Sequence, residues 1–129
     1  SDLSRINLKD DENLIINKIK KAKTDTLPMP TKLDELGKRP EVNNLLIIYS
    51  SIKDISLEDA IKEFSKKNFS DFKENLSQSI NDKIGPITKE IKKLLNDKDY
   101  LDKILQEGCI KASEIASKKI KKIHEIVGF

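Results

Sequence analysis

Histidine and cysteine occur once each in the 129 residues, as His124 and Cys109. One of each cannot make a zinc site, which draws its several ligands mainly from those two residue types. A lone cysteine also excludes an intramolecular disulfide and fits a reducing compartment. No apolar run approaches the roughly 18 residues needed to span a bilayer. There is no glycine-rich loop to cradle phosphates. Arginine is scarce: only Arg5 and Arg39 supply a guanidinium, so bidentate recognition of bases or phosphates has few donors. Nor does one sign of charge dominate, since 25 Lys and Arg face 22 Asp and Glu for a net charge of +3. Any contact with nucleic acid must come from local clustering of Lys.

The catalytic repertoire is correspondingly thin. A nucleophile needs a positioned base, and His124 sits among lysines near the chain's end, where it reads as a surface or helix-end residue. Cys109 falls beside an apolar stripe and reads as a buried small hydrophobe rather than a reactive thiol. Carboxylates abound, but with 36% of residues charged they read as solvated helix faces.

What is present is helical periodicity. The length suits one domain with one core. Residues 1–9 read as a linker and 10–129 as a helical domain. Asp10, Asp11 and Glu12 open a helix whose end is crowded by Lys18, Lys20, Lys21 and Lys23, matching the helix dipole at both termini. "TDTLPMPTKLDELGKRP" holds three of the four prolines and must be a loop, long enough to suggest a functional one. Pro40 opens a second helix with Val42, Leu45, Leu46 and Tyr49 on one stripe. Ser56 and Asp59 resemble a capping box ahead of Leu57, Ile61 and Phe64. Ser70 opens a fourth helix, which Gly85-Pro86 is expected to kink. The longest periodic run, from Tyr100 to Val127, sets Leu101, Ile104, Leu105, Ile115, Ile123 and Val127 on one side, with small residues at Gly108, Ala112 and Ala116, and ends at Gly128 as a cap. Nothing alternates with period two for long enough to make a strand. The expected fold is an all-α bundle of about five helices, with a Gly-Pro kink in the fourth and a long C-terminal helix.

Three Lys-rich stretches stand out: "KIKKAK", "FSKKNFSDFK" and "SKKIKKIHE". The second interleaves Phe64, Phe69 and Phe72 with lysines, and RNA-binding surfaces combine cations with aromatic faces that stack on unpaired bases. Phe64 and Phe72 fall on core stripes. Phe69 lies off both stripes, and core and RNA-facing readings stay open for it.

The order of residues resembles the C-terminal portion of the tryptophanyl-tRNA synthetases, class I aminoacyl-tRNA ligases. "SD" at Ser1-Asp2 looks like the tail of that family's Lys-Met-Ser-Lys-Ser-Asp loop, which closes over ATP. "KIKKAKTD" resembles its Lys-Ile-x-x-Ala-x-Thr-Asp helix end. "RPEVNNLLIIYS" resembles Lys-Pro-Gly-Val-x-Asn-Leu-Leu-x-Ile-Tyr-Ser, and "KNFSDFK" resembles Lys-Gly-Tyr-Gly-Asp-Phe-Lys. The tail from Tyr100 resembles the family's closing helix. Departures occur at Glu41, Asn68 and Ser70, where the family often has Gly, and at Phe69, Gly85 and Cys109, where it has Tyr, Arg and Ala.

The resemblance implies a helical anticodon-binding domain severed from a Rossmann-type catalytic domain, with Ser1 as the remnant of the ATP loop. The start without Met fits such a cut. This part would contain no catalytic residue and hold no cofactor, whereas the parent would use ATP with Mg. Its partners would be tryptophan tRNA and the catalytic domain of the same parent chain, with no membrane. The parent would be a homodimer through its catalytic half, and this part alone a monomer. The location would be cytoplasmic, with an organelle matrix as the alternative. Thr24, Asp25 and Lys73 would face the anticodon. Asp25 would accept from a cytosine amine, and Lys18, Lys21 and Lys23 would meet phosphates. The residues alone also allow Asp25 as a turn residue and Lys73 as a solvated lysine. Two rivals remain: a structural helical module that binds protein, and an amphipathic domain drawn to anionic lipid by the last helix.

Overall fold

The computed structural model describes residues 2–128. Among them it contains five α-helices, two short 3-10 helices and no strand. Helix α1 spans Glu12–Lys21, α2 Pro40–Lys53, α3 Leu57–Phe64, α4 Phe69–Asn96 and α5 Lys98–Val127, with 3-10 turns at Asp2–Ser4 and Leu33–Lys38. The expectation of an all-α chain with a long last helix therefore holds. Ser1, read as the ATP-loop remnant, lies outside the described residues. Two compact units emerge, Ser1–Glu90 and Ile91–Phe129.

Local chemistry starts each helix. Asp11 caps α1 by accepting the Leu14 N–H at 2.8 Å, which satisfies one of the orphan donors of the first turn. Pro40 occupies the first turn of α2, where its missing N–H costs nothing. That helix stops at Asp54 in the left-handed conformation (φ 56°), which a short polar side chain tolerates better than a branched one. Ser56 Oγ accepts the Asp59 N–H at 3.1 Å and donates to the Asp59 carboxylate at 2.7 Å, opening α3. At α4 the cap is Asn68 rather than Ser70: its Oδ1 accepts the Asp71 N–H at 2.8 Å. The helix then continues unbroken through Gly85-Pro86, so the proline does not divide it.

In the first unit these helices close over a core of Ile15, Leu46, Ile61, Leu76 and Ile80 around three aromatic rings. Tyr49 and Phe64 meet edge to face at 5.0 Å between centroids, and Phe64 and Phe72 at 4.9 Å, the arrangement that ring quadrupoles favour. The Tyr49 hydroxyl reaches out to donate to Glu63 at 3.0 Å. Burial, reinforced by that carboxylate, pushes its pKa up to about 12.

The segment before α1 is tied to the helices by hydrogen bonds. Lys18, which the sequence suggested for phosphate contact, is only 3% exposed. Its ammonium donates to the Asp10 carboxylate at 2.7 Å and to the Arg5 carbonyl at 3.0 Å. That assignment is corrected: Lys18 is turned inward and spent on an internal pair. The Lys18 hydrogen bond, helped by the Asn7 N–H, holds the Asp10 carboxyl below its ordinary pKa. Farther along, the Thr88 hydroxyl donates to the Leu8 carbonyl at 2.8 Å, tying the same segment to α4.

In the second unit α5 is capped by Asp97 at its start and by Gly128, in the left-handed conformation, at its end. None of its residues is buried. Ile104, Leu105, Ile115, Ile123 and Val127, expected to line a packed side, are exposed, with Leu105 at 69%. Cys109 is exposed as well, not a core residue. Caps and good helix formers satisfy this helix's backbone from within, so its existence does not require its stripe to be covered.

Candidate nucleic-acid interface

The end of α1 and the start of α4 meet at one cation. The Lys73 ammonium donates to the Ala22 carbonyl at 2.7 Å and to the Lys20 carbonyl at 3.3 Å. These are the acceptors that the last helical turn leaves unpaired, and a positive charge there complements the dipole. Burial lowers the Lys73 pKa from its ordinary value. The residue is therefore neither a free phosphate ligand nor an ordinary solvated lysine. It joins two elements, and of its three donors one remains unspent by these two carbonyls.

Beside this junction lies a cavity of about 590 Å³, walled by Ile16 and Lys20 of α1 and by Phe69, Ser70, Lys73 and Glu74 of α4. Phe69, which the sequence left undecided, is half-buried, and the Arg39 guanidinium stands 5.9 Å from its ring centroid. Lys20, Lys21 and Lys23 are exposed around the end of α1. Lys23 approaches Glu41 at 3.6 Å, a solvent-exposed pair that constrains it little.

Thr24 and Asp25 follow directly and are half-buried. The Asp25 carboxylate is gripped by Arg39 through two bonds of 2.7 Å and also accepts the Leu27 N–H at 3.0 Å. The Arg39 hydrogen bond is the main reason its pKa is lowered. Arg39 and the backbone N–H groups of Leu27 and of Asp25 itself thus fix this carboxylate in place. Turn residue and acceptor are compatible roles here. Glu35 holds the far part of the loop by accepting from the Thr31 hydroxyl at 2.8 Å and the Thr31 and Lys32 N–H groups at 3.0 and 3.1 Å. Met29 and Pro30 are buried beneath it.

Of the six positions suggested by the sequence, the structure gathers Lys21, Lys23, Thr24, Asp25 and Lys73 around the α1 terminus and removes Lys18. Sequence reasoning missed Lys20 on the cavity wall and Arg39 as the clamp. Arg39 carried one signal, as one of only two arginines, but its partner is 14 residues away across a loop.

Among the described residues no group of His, Cys, Asp and Glu could hold a metal ion, and no helix is long and apolar enough to cross a membrane. No family model matches the chain. Curated relatives do. Tryptophan–tRNA ligase from Rickettsia conorii is 47% identical over 129 residues, covering 100% of this chain and 38% of the relative. The ligases of Rhizobium meliloti and Brucella melitensis are 43% and 42% identical over all 129 residues, each with 36% of its length covered. The chain thus spans little more than a third of the length of the relatives it matches. From end to end, it is similar in sequence to a segment of the tryptophan–tRNA ligases.

Proposed function

We propose that this chain is the C-terminal, anticodon-facing part of a tryptophan–tRNA ligase. In that reading it binds the anticodon region of tryptophan tRNA so that a Rossmann-type catalytic domain elsewhere in the parent can activate tryptophan with ATP and Mg and charge the tRNA. The parent works as a homodimer in the cytosol, and this part alone is inactive. The observation that carries the reading is the Lys73 junction, because one ammonium holds the end of α1 against the start of α4. The loop with Thr24 and Asp25, the exposed Lys20, Lys21 and Lys23, and the cavity beside Phe69 are thereby neighbours.

Division of labour follows from chemistry. Lys20, Lys21 and Lys23 meet phosphates and orient the RNA without reading it. Asp25, held still by Arg39, presents its carboxylate to a base amine. Lys73 keeps the two elements in register. The ATP-dependent step has no group among these residues to carry it.

Asp25→Ala in the full-length parent should lower aminoacylation and discrimination at one anticodon base while tryptophan-dependent pyrophosphate exchange stays unchanged; equal loss of both overturns the reading. Lys21→Ala should weaken all tRNAs alike and reduce the salt slope of binding by about 1. The exposed apolar stripe of α5 favours a second reading, a helical module that binds protein. It expects no salt-sensitive affinity for tRNA.

A further inference from the structure

A second cavity, of about 580 Å³, opens in the first unit among the N-terminal segment, α1, α2 and α4, and meets the Lys73 junction only at the end of α1, where Lys21, Ala22 and Lys23 line it. Its floor is mostly aliphatic, with Ile19 of α1, Leu45, Ile48 and Ile52 of α2, and Ile80 and Ile84 of α4, while Asn44 and Lys18 also line it. Leu3, Ser4, Arg5 and Ile6 of the N-terminal segment form another wall. That wall precedes α1, with Leu3 in the 3-10 turn, and its chain is tied down: the Lys18 ammonium holds the Arg5 carbonyl at 3.0 Å and the Asp10 carboxylate at 2.7 Å, and Thr88 holds the Leu8 carbonyl at 2.8 Å. A buried ion pair contributes little net stability against an apolar substitute, but it sets register. Here it fastens the N-terminal segment to α1.

The rim is cationic. Arg5, Lys21 and Lys23 border the mouth. Arg5 and Lys21 are exposed, and neither has an acidic partner among the described residues. An aliphatic floor under unpaired cations calls for a ligand with an apolar body and negative flanks. RNA fits poorly, because no aromatic ring lines the floor to stack a base. A flat lipid surface would reach the rim and leave the concavity unfilled.

We propose that this cavity docks apolar side chains presented by an acidic segment of a partner polypeptide. The buried Lys18–Asp10 pair holds its wall in place, and Arg5 is the cation that belongs to this mouth and not to the proposed RNA surface.

The test is methyl NMR of the 129-residue chain titrated with three probes: a short helical peptide with two leucines flanked by glutamates, the same peptide with lysines for the glutamates, and sodium decanoate. The glutamate peptide should shift the methyl signals of Ile19, Ile48, Ile52 and Ile84, and the lysine peptide should bind at least about tenfold more weakly. Arg5→Glu should cut affinity for the glutamate peptide about tenfold, and Leu3→Asp should weaken it as well. Both positions are exposed, so circular dichroism should report an unchanged fold. Equal binding of the two peptides, shifts elsewhere in the chain, or no shift at millimolar peptide overturns the proposal. So does binding of decanoate without either peptide, which would make this a site for small amphiphiles.

Discussion

Helix α3 has 8 residues and buries Ala60, Ile61 and Phe64, whereas α5 has 30 and buries none. Both begin at a side-chain cap, Ser56 in one and Asp97 in the other, and both carry apolar residues at helical spacing. The difference lies in what faces the stripe. The tight turn through Asp54 delivers α3 onto α2, so that Phe64 lands on Tyr49 and Phe72. Nothing comparable covers Leu105 or Ile115 within the second unit. Periodicity thus announces a helix and a face, while burial depends on a second surface supplied from elsewhere in the chain.

Perturbation should separate the two helices sharply. Phe64→Ala removes a fully buried ring from the aromatic cluster and should destabilise the first unit by about 3–5 kcal/mol in urea denaturation; a loss under about 1 kcal/mol would erase the contrast. Lys18→Met should cost about 3 kcal/mol, since it strands the Asp10 carboxylate in a buried setting. The same pair has a signature in pH. Asp10 titrates lower in the folded chain than as a free carboxyl. Its contribution is therefore complete above the unfolded carboxyl's pKa, near 4, and is lost as pH falls through the lower folded value. Lys18→Met should flatten that acid limb of the stability profile, and an unchanged limb would point to a different carboxylate.

A smaller effect is expected at the α3 cap, where Ser56→Ala should cost about 1 kcal/mol, readable as a shift in the urea midpoint without a change in slope. The smallest belongs to α5. Ile115 is 65% exposed, and Ile115→Ala should change stability by no more than about 0.5 kcal/mol. A cost above about 2 kcal/mol would mean that this face is covered in solution, as that of α3 is.

Much of the local plan was legible in the residues. Asp11 before the first apolar stripe, Pro40 at the head of α2 and Ser56 ahead of α3 each act over a few residues of chain, and each sits where such signals place it. Phe64 and Phe72 were readable as core because both recur on the stripe of a helix. The start of α4 was misjudged by favouring Ser70, when Asn68 has the side-chain acceptor at the right distance from the Asp71 N–H. The candidate site was legible only in part. Its lysines could be counted, but whether an ammonium points to water or to a carbonyl is decided by the neighbour that it meets. Lys18 and Lys21 lie three residues apart on one helix, and one is buried while the other is exposed.

Short-range chemistry (caps, prolines and spacing) was enough to specify helices, their order and most of their inward faces, because those interactions close within one or two turns of chain. Contacts between distant residues had to wait for the folded unit: Lys73 on the α1 carbonyls, Arg39 on Asp25, and Thr88 on Leu8. A charged side chain is equally at home in solvent or in a matched internal pair, so composition cannot choose between them. Only the packing of one helix end against another creates the partner, and with it the junction on which the proposed RNA surface depends.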